Sequence, residues 1–202
     1  MVGQKSVNPV LIALGANLPS KAGPPEQTLR AALDALGAWG LRVLVESPFY
    51  RTPCFPSGAG PDYVNAAALA ESALRPDEIL ALLHRIEADH GRERVQRWGM
   101  RTLDLDLVAC GQTVLPDPGT QTRWRDLPLE AQMQDTPDRL ILPHPRLQDR
   151  AFVLVPLADV APDWSHPLTG QSVRQMRDAL PNALRDEVTP CEWALVKPFD
   201  DL

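Results

Sequence analysis

The chain predicts an α+β fold whose core runs strand, helix, strand, strand, helix, strand and is complete by about residue 110. Three observations carry this expectation. Two segments place apolar residues at the 3.6 period, and four others alternate or run continuously apolar over strand lengths. Gly and Pro stand where one element must give way to the next.

The first strand is the apolar run Pro9 to Leu14, stopped by Gly15-Ala16-Asn17. A helix over Glu26 to Trp39 follows from Leu29, Ala32, Leu33 and Leu36, with Pro24 and Pro25 before it and Gly37 and Gly40 at its end. Leu41 to Tyr50 alternates Leu41, Val43 and Val45 against Arg42, Leu44 and Glu46, the pattern of a second strand. Pro53 to Pro61 then requires a loop. Tyr63 to Ser72 is alanine-rich enough for either element, but its length between two loops favours a strand. Pro76 and Asp77 open a second helix carrying Ile79, Leu80, Leu83, Ile86 and Glu87, which Gly91 closes. Leu103 to Cys110 alternates, so Leu103, Leu105 and Leu107 face one side and Asp104, Asp106 and Val108 the other. This order is that of a ferredoxin-like βαββαβ core with an antiparallel sheet. Beyond it the sequence predicts a polar, Pro-rich loop over about 116–139, a short strand at Leu140 to Leu142, an apolar segment from Phe152 to Val160, and a helix near Gln171 to Leu180. The chain reads as one domain over 1–202, with a core at about 9–165 and a C-terminal extension at about 166–202.

Composition narrows the function. With 20 basic against 26 acidic residues the net charge is -6, which disfavours a general nucleic-acid or anionic-membrane surface. The apolar run Val10 to Leu14 is far below the ~20 residues of a membrane span. It is also short for a signal peptide, so a cytoplasmic protein is expected. Cys54, Cys110 and Cys191 are odd in number, widely spaced and without a C-x-x-C, which speaks for reduced structural thiols.

Against that acidic background Arg92, Arg94, Arg97 and Arg101 fall within ten residues, beside Trp98 and with Gly91 just before them and Gly99 among them. Guanidinium groups take phosphate oxygens in forked pairs, so such a loop suits a polyphosphate. Chance clustering is the plain competitor, since 17 of the 20 basic residues are Arg. The next residues shift the balance. Asp104 and Asp106 share one face of a strand with Cα atoms ~6.6 Å apart, a pair of hard carboxylates of the kind Mg²⁺ takes together with substrate phosphates. No Walker A or G-x-G-x-x-G occurs, so an ordinary P-loop or Rossmann site is not the explanation. The arginines have no acidic partner nearby in the sequence, and the glycines around them suggest a closing loop.

Five blocks in order, LIALGANL, SPFYRTP, PDYVNAA, GRERVQRWGMRTLDLDLVACG and LPHPRLQDRAFVLVPLADVAP, resemble the 6-hydroxymethyl-7,8-dihydropterin pyrophosphokinase family over roughly residues 9 to 165. The resemblance implies a ferredoxin-like core. It also implies transfer of pyrophosphate from ATP to the hydroxymethyl group of the dihydropterin, with release of AMP and two Mg²⁺ ions, in folate biosynthesis. Asp104 and Asp106 match the metal pair, and Asp106 is a candidate acceptor of the hydroxymethyl proton. Arg92 and Arg101 match arginines that close over the triphosphate. Arg94, Arg97, Trp98, Glu87, His144 and Arg150 match nucleotide contacts. Thr52, Pro53, Phe55, Tyr63, Asn65 and Phe152 match the pterin site. There Asn65 would hydrogen bond the ring while Tyr63 and Phe152 stack on its faces. Taken singly, Tyr63 and Phe152 read as core aromatics, Glu87 as a helix-face acid, His144 as a loop histidine and Arg150 as a surface cation. His84, His90 and His166 show no ligand spacing and read as structural.

The chain departs from the family pattern at Ala16, Cys54, His84 and Met100, and Met100 bears on the stiffness of the arginine loop. Substrates would be ATP and the dihydropterin, the expected state is a monomer, and no nucleic acid or membrane is expected. Two alternatives remain at this stage: another Mg²⁺-dependent nucleotidyl or glycosyl transferase using Asp104 and Asp106, and an inactive ferredoxin-like binding module.

Overall fold

In the computed structural model, residues 7–54, 60–92, 101–128, 131 and 135–191 are described. The core elements are β1 (Asn8–Ala16), α1 (Pro25–Ala38), β2 (Arg42–Glu46), β3 (Tyr50–Thr52), β4 (Tyr63–Ser72), α2 (Pro76–Asp89) and β5 (Asp104–Cys110). They are followed by α3 (Pro118–Arg125), α4 (Ala151–Val160), α5 (Val173–Ala179), α6 (Asn182–Asp186) and β6 (Thr189–Pro190). The sheet order is β5-β1-β4-β3-β6, with β2 also paired to β4, and every pairing is antiparallel. This is the ferredoxin-like α+β arrangement the sequence predicts.

One sheet face receives α1 and α2. Ile12, Leu14, Leu103, Leu105 and Leu107 meet Leu29, Leu33, Leu36, Ile79, Leu83 and Ile86 there. The 3.6 period of the helices and the two-residue period of the strands converge on one core, and burying that apolar surface is the main drive for the fold. The other face carries Leu11, Ala13, Ala67 and Val108 beneath Val153, Leu154 and Leu157 of α4 and Val173 and Met176 of α5. The apolar segment at 152–160 is therefore a helix. Buried between sheet and α5, it needs no polar face, which is why periodicity did not reveal it.

Three expectations change. The second strand is two strands, because Ser47 takes over the ladder. Its N–H donates to Ala67 O at 2.9 Å and its Oγ accepts from Ala67 N at 2.9 Å. A register shift between Val43 and Val45 leaves Val45 exposed instead of inward. The loop expected over 116–139 contains α3, whose start is fixed by Asp117 accepting from Thr120 N at 2.9 Å and by Pro118 in the first turn. The strand expected at Leu140 to Leu142 is a single bridge, with Leu115 and Leu142 exchanging backbone hydrogen bonds of 3.0 and 3.1 Å.

Candidate active site

A cavity of about 330 Å³ opens over the part of the second sheet face that α4 leaves uncovered. Its floor follows from register. Gly15 lies between Asp104 on one side and Asn65 on the other, and Ala13 lies between Asp106 and Ala67. Since alternate residues of a strand share a face, Asp104, Asp106, Gly15, Ala13 and Asn65 all point the same way. The small residues of β1 leave space between the carboxylates and the amide. A Cβ at Gly15 would stand 3.1 Å from Asn65 Oδ1, so the glycine keeps that amide in place.

The charged end is assembled by α2 and β5. Gly91 adopts a left-handed φ of 80° and closes α2 in a Schellman turn, with Gly91 N donating to Ala88 O at 3.0 Å and Arg92 N to Glu87 O at 3.1 Å. That turn folds Arg92 back onto Glu87, and Arg92 Nη1 also reaches Asp104 Oδ1 at 2.6 Å. Arg101 pairs with Asp104 Oδ2, and Arg150 Nη1 lies 3.5 Å from Asp106 Oδ2. The expectation that the arginines lack acidic partners is therefore overturned for Arg92 and Arg101, whose partners Glu87 and Asp104 lie five and three residues away.

Glu87 is 1% exposed and is not among the cavity-lining residues. Its Oε1 accepts from Leu105 N at 2.8 Å, between the two aspartates, so it anchors the edge of β5 from behind. Burial pushes the Asp106 carboxyl up, but the facing charges of His144 when protonated and of Arg150, Arg101 and Arg92 outweigh it and hold it below the usual range. His144 lies close to Asp106, its backbone N–H donating to Val108 O at 2.8 Å and its Nδ1 accepting from Arg146 N at 3.1 Å. Burial lowers its pKa to about 4, which keeps it neutral at pH 7.

At the other end Asn65, 5% exposed, donates from Nδ2 to Thr52 Oγ1 at 2.8 Å. Both line the cavity with Pro53, Tyr63 and Phe152. The reading of Phe152 as a core aromatic is corrected: it is 40% exposed at the cavity, with the Arg150 guanidinium 5.5 Å from its ring centroid. Tyr63 is half-buried in the wall, and burial raises its pKa. Phe55, Arg94, Arg97 and Trp98, along with Met100, lie outside the described residues.

Sequence reasoning missed Asn17, treating it only as part of a turn. It is 2% exposed, and its Oδ1 accepts from Arg101 N at 2.8 Å while its Nδ2 donates to Pro61 O at 3.1 Å. Asn17 N and Leu18 N both donate to Arg101 O, at 3.0 and 3.1 Å. An Asn immediately after an apolar strand was the available signal. Arg101 is thus tied by its backbone to the turn after β1. Leu184, Glu187 and Val188 of the extension also line the cavity, and nothing in the sequence pointed to them.

Fold and site together define a ferredoxin-like α+β protein in which an acidic pair, arginines and an aromatic and amide pocket share one cavity. Residues 11–162 match the sequence profile of the family described as 7,8-dihydro-6-hydroxymethylpterin-pyrophosphokinase (HPPK), and the chain belongs to that family. The chain is 36% identical over 167 residues to a Synechocystis 2-amino-4-hydroxy-6-hydroxymethyldihydropteridine pyrophosphokinase, covering 82% of this chain and 73% of that one. It is 37% identical over 173 residues to a Pseudomonas aeruginosa protein of the same name, covering 85% and 91%. The crystal structure of wild-type Plasmodium falciparum HPPK-DHPS superposes with a TM-score of 0.59 at 12% identity, covering 86% of this chain and 44% of the longer one, and bears on the fold alone.

Proposed function

We propose that this cavity transfers pyrophosphate from ATP to the hydroxymethyl group of 6-hydroxymethyl-7,8-dihydropterin and releases AMP, a step of folate biosynthesis. One observation carries the reading: a single sheet face presents Asp104 and Asp106 at one end and Asn65 at the other, with only Gly15 and Ala13 between them. A nucleotide's phosphates and a flat heterocycle can therefore meet over one floor.

The hydroxymethyl oxygen attacks the β-phosphorus of ATP, and the bond from that phosphorus to the α,β-bridging oxygen breaks, leaving AMP. Asn65 and Thr52 recognise the pterin edge, and Pro53 and Phe55 are assigned to the pterin with them. Tyr63 and Phe152 bracket the ring, so that its hydroxymethyl group faces the acids. Arg92, Arg101 and Arg150 supply forked donors for the phosphates. In the structure these guanidinium groups already face the carboxylates, which marks the end of the cavity where opposite charges gather. Arg94, Arg97 and Trp98 are assigned to the nucleotide with them. Glu87 acts from behind, holding β5 in register with the nucleotide site, and His144 beside Asp106 is assigned to the nucleotide. Asp106 accepts a hydrogen bond from the hydroxymethyl O–H; its lowered pKa makes it a weak base, so it receives the proton only as the new P–O bond forms.

Asp104 and Asp106 are hard oxygen donors next to the phosphate site and fit Mg²⁺. Two ions are assigned to them. When bound, Mg²⁺ supplies neutralisation of the phosphate charge that builds as AMP leaves.

The unit of function is the whole of 1–202, since the extension lines the same cavity as the core. A monomer is inferred because the lining residues of this one chain already bring acids, arginines, amide and aromatics together. Three free, buried cysteines and the use of ATP support a cytoplasmic location. The deciding assay incubates the protein with ATP, Mg²⁺ and the hydroxymethyl dihydropterin and follows the nucleotide product. AMP is expected; ADP or free phosphate as the coupled product overturns the reading.

A further inference from the structure

The cavity has a wall that the family match does not reach. The match ends at residue 162, yet Leu184, Glu187 and Val188 line the same cavity as Asp104 and Asn65. This segment is built into the sheet. Val188 is 8% exposed and packs with Tyr50 and Ala151, β6 pairs Thr189 with Arg51 and Pro190 with Tyr50, and Cys191 N donates to Phe49 O at 2.8 Å. The strand it pairs with ends at Thr52, the partner of Asn65.

Sheet order says which end of the cavity the wall serves. β5 and β6 lie at opposite edges with β1, β4 and β3 between them, so the extension stands at the end away from Asp104 and Asp106. Its chemistry agrees with that position. Leu184 offers no donor to a phosphate, and Glu187 has the same sign of charge as one. An apolar side chain and a carboxylate instead suit a neutral, flat ring with N–H donors on its edge. Exposure points the same way. Among the described residues six large apolar side chains are exposed to solvent, and two of them, Leu184 at 42% and Phe152 at 40%, line this cavity. A ring placed there would cover both.

We infer that residues 182–188 form the outer wall of the heterocycle site, Leu184 covering the ring alongside Phe152 and Glu187 accepting from a ring N–H. The extension thereby sets affinity and selectivity for the pterin-type substrate. This rests on the pyrophosphokinase reading. Both side chains are exposed, so neither substitution removes core packing.

The test uses the full chain with Mg²⁺ and a non-hydrolysable ATP analogue, titrated calorimetrically with 6-hydroxymethyl-7,8-dihydropterin, beside steady-state measurement of AMP formation. Leu184→Ala is expected to raise the dihydropterin Kd and KM about tenfold, the scale of losing one ligand-covered aliphatic side chain. Glu187→Gln should raise them about threefold, by weakening an N–H to carboxylate bond to a neutral one. The Kd of the ATP analogue and kcat should change less than about twofold in both. An unchanged dihydropterin Kd in one variant removes that residue from the wall, and in both it overturns the inference. Equal weakening of analogue and dihydropterin also overturns it, since that marks a general structural effect. A wild-type chain that forms no AMP and binds no dihydropterin is a different result, in which the pyrophosphokinase reading itself falls.

Discussion

At the β5 edge of the cavity the polar side chains are charged and tied to one another: Arg92 joins Glu87 to Asp104, Arg101 holds the other oxygen of Asp104, and Arg150 faces Asp106. At the β3 and β6 edge the amide-to-hydroxyl bond from Asn65 to Thr52 lies among Gly15, Phe152 and Leu184. The first end works through electrostatics in partly buried surroundings, where removing one member leaves its partners uncompensated. The second works through apolar area and shape, where each change costs only the surface or the bond it removes. Changes at the charged end should therefore fall on rate and be large, and changes at the other should fall on dihydropterin affinity and be modest.

The strongest way to break that contrast is at the acids. Asp104→Asn and Asp106→Asn should each lower kcat about a thousandfold or more across a Mg²⁺ titration, with circular dichroism unchanged. Activity near wild type in either would remove the metal assignment. Next comes Asn17→Ala, which removes the side-chain acceptor of Arg101 N and leaves the two backbone bonds to Arg101 O. It should lower kcat roughly 10- to 30-fold, with the dihydropterin Kd nearly constant; single-turnover AMP formation separates the two. At the opposite end Asn65→Ala should weaken dihydropterin binding about tenfold and ATP binding hardly at all, since one buried amide is lost. Calorimetry giving the reverse order would place the amide with the nucleotide. Gly15→Ala sharpens the same point with a smaller effect. Its Cβ would crowd Asn65 Oδ1, and the dihydropterin Kd should rise about threefold.

A last measurement probes the base of the extension, away from both ends. His166 is 1% exposed, and its Nδ1 accepts from Leu168 N at 3.2 Å and from Thr169 N at 3.4 Å. Burial, with Arg125 nearby, lowers its pKa to about 4. An unfolded histidine titrates near 6.5, so between about pH 6.5 and pH 4 the unfolded chain binds a proton that the folded chain refuses. This group's contribution to stability is complete above pH 6.5 and declines as pH falls through that window. His166→Asn should flatten that part of the stability curve in urea titrations. A curve of unchanged slope would show that the imidazole does not govern it.

Much of this arrangement was legible in the sequence. Leu103, Leu105 and Leu107 announced the side of β5 that is buried, and so the side on which Asp104 and Asp106 stand. Gly91 announced the end of α2, and the Schellman turn there is what a glycine in a left-handed conformation makes possible. What was not legible has a common cause. The break at Ser47 depends on Ala67, the pairing of Arg101 depends on Asn17 as well as Asp104, and the helical state of 151–160 depends on being sandwiched between sheet and α5. In each case the deciding partner is far away in the chain or on another element.

The sequence by itself determined the order of elements, the face each would bury and the residue types at the charged end, because periodicity and turn chemistry are local and backbone geometry converts them directly into direction. Only the tertiary structure decided that Gly15 and Ala13 separate the acids from Asn65, that Asn17 holds Arg101, and that a segment near residue 185 closes the cavity against strands near residue 50. Those are matters of register and of which sheet edge is left open, and they are settled when strands pair across long stretches of chain.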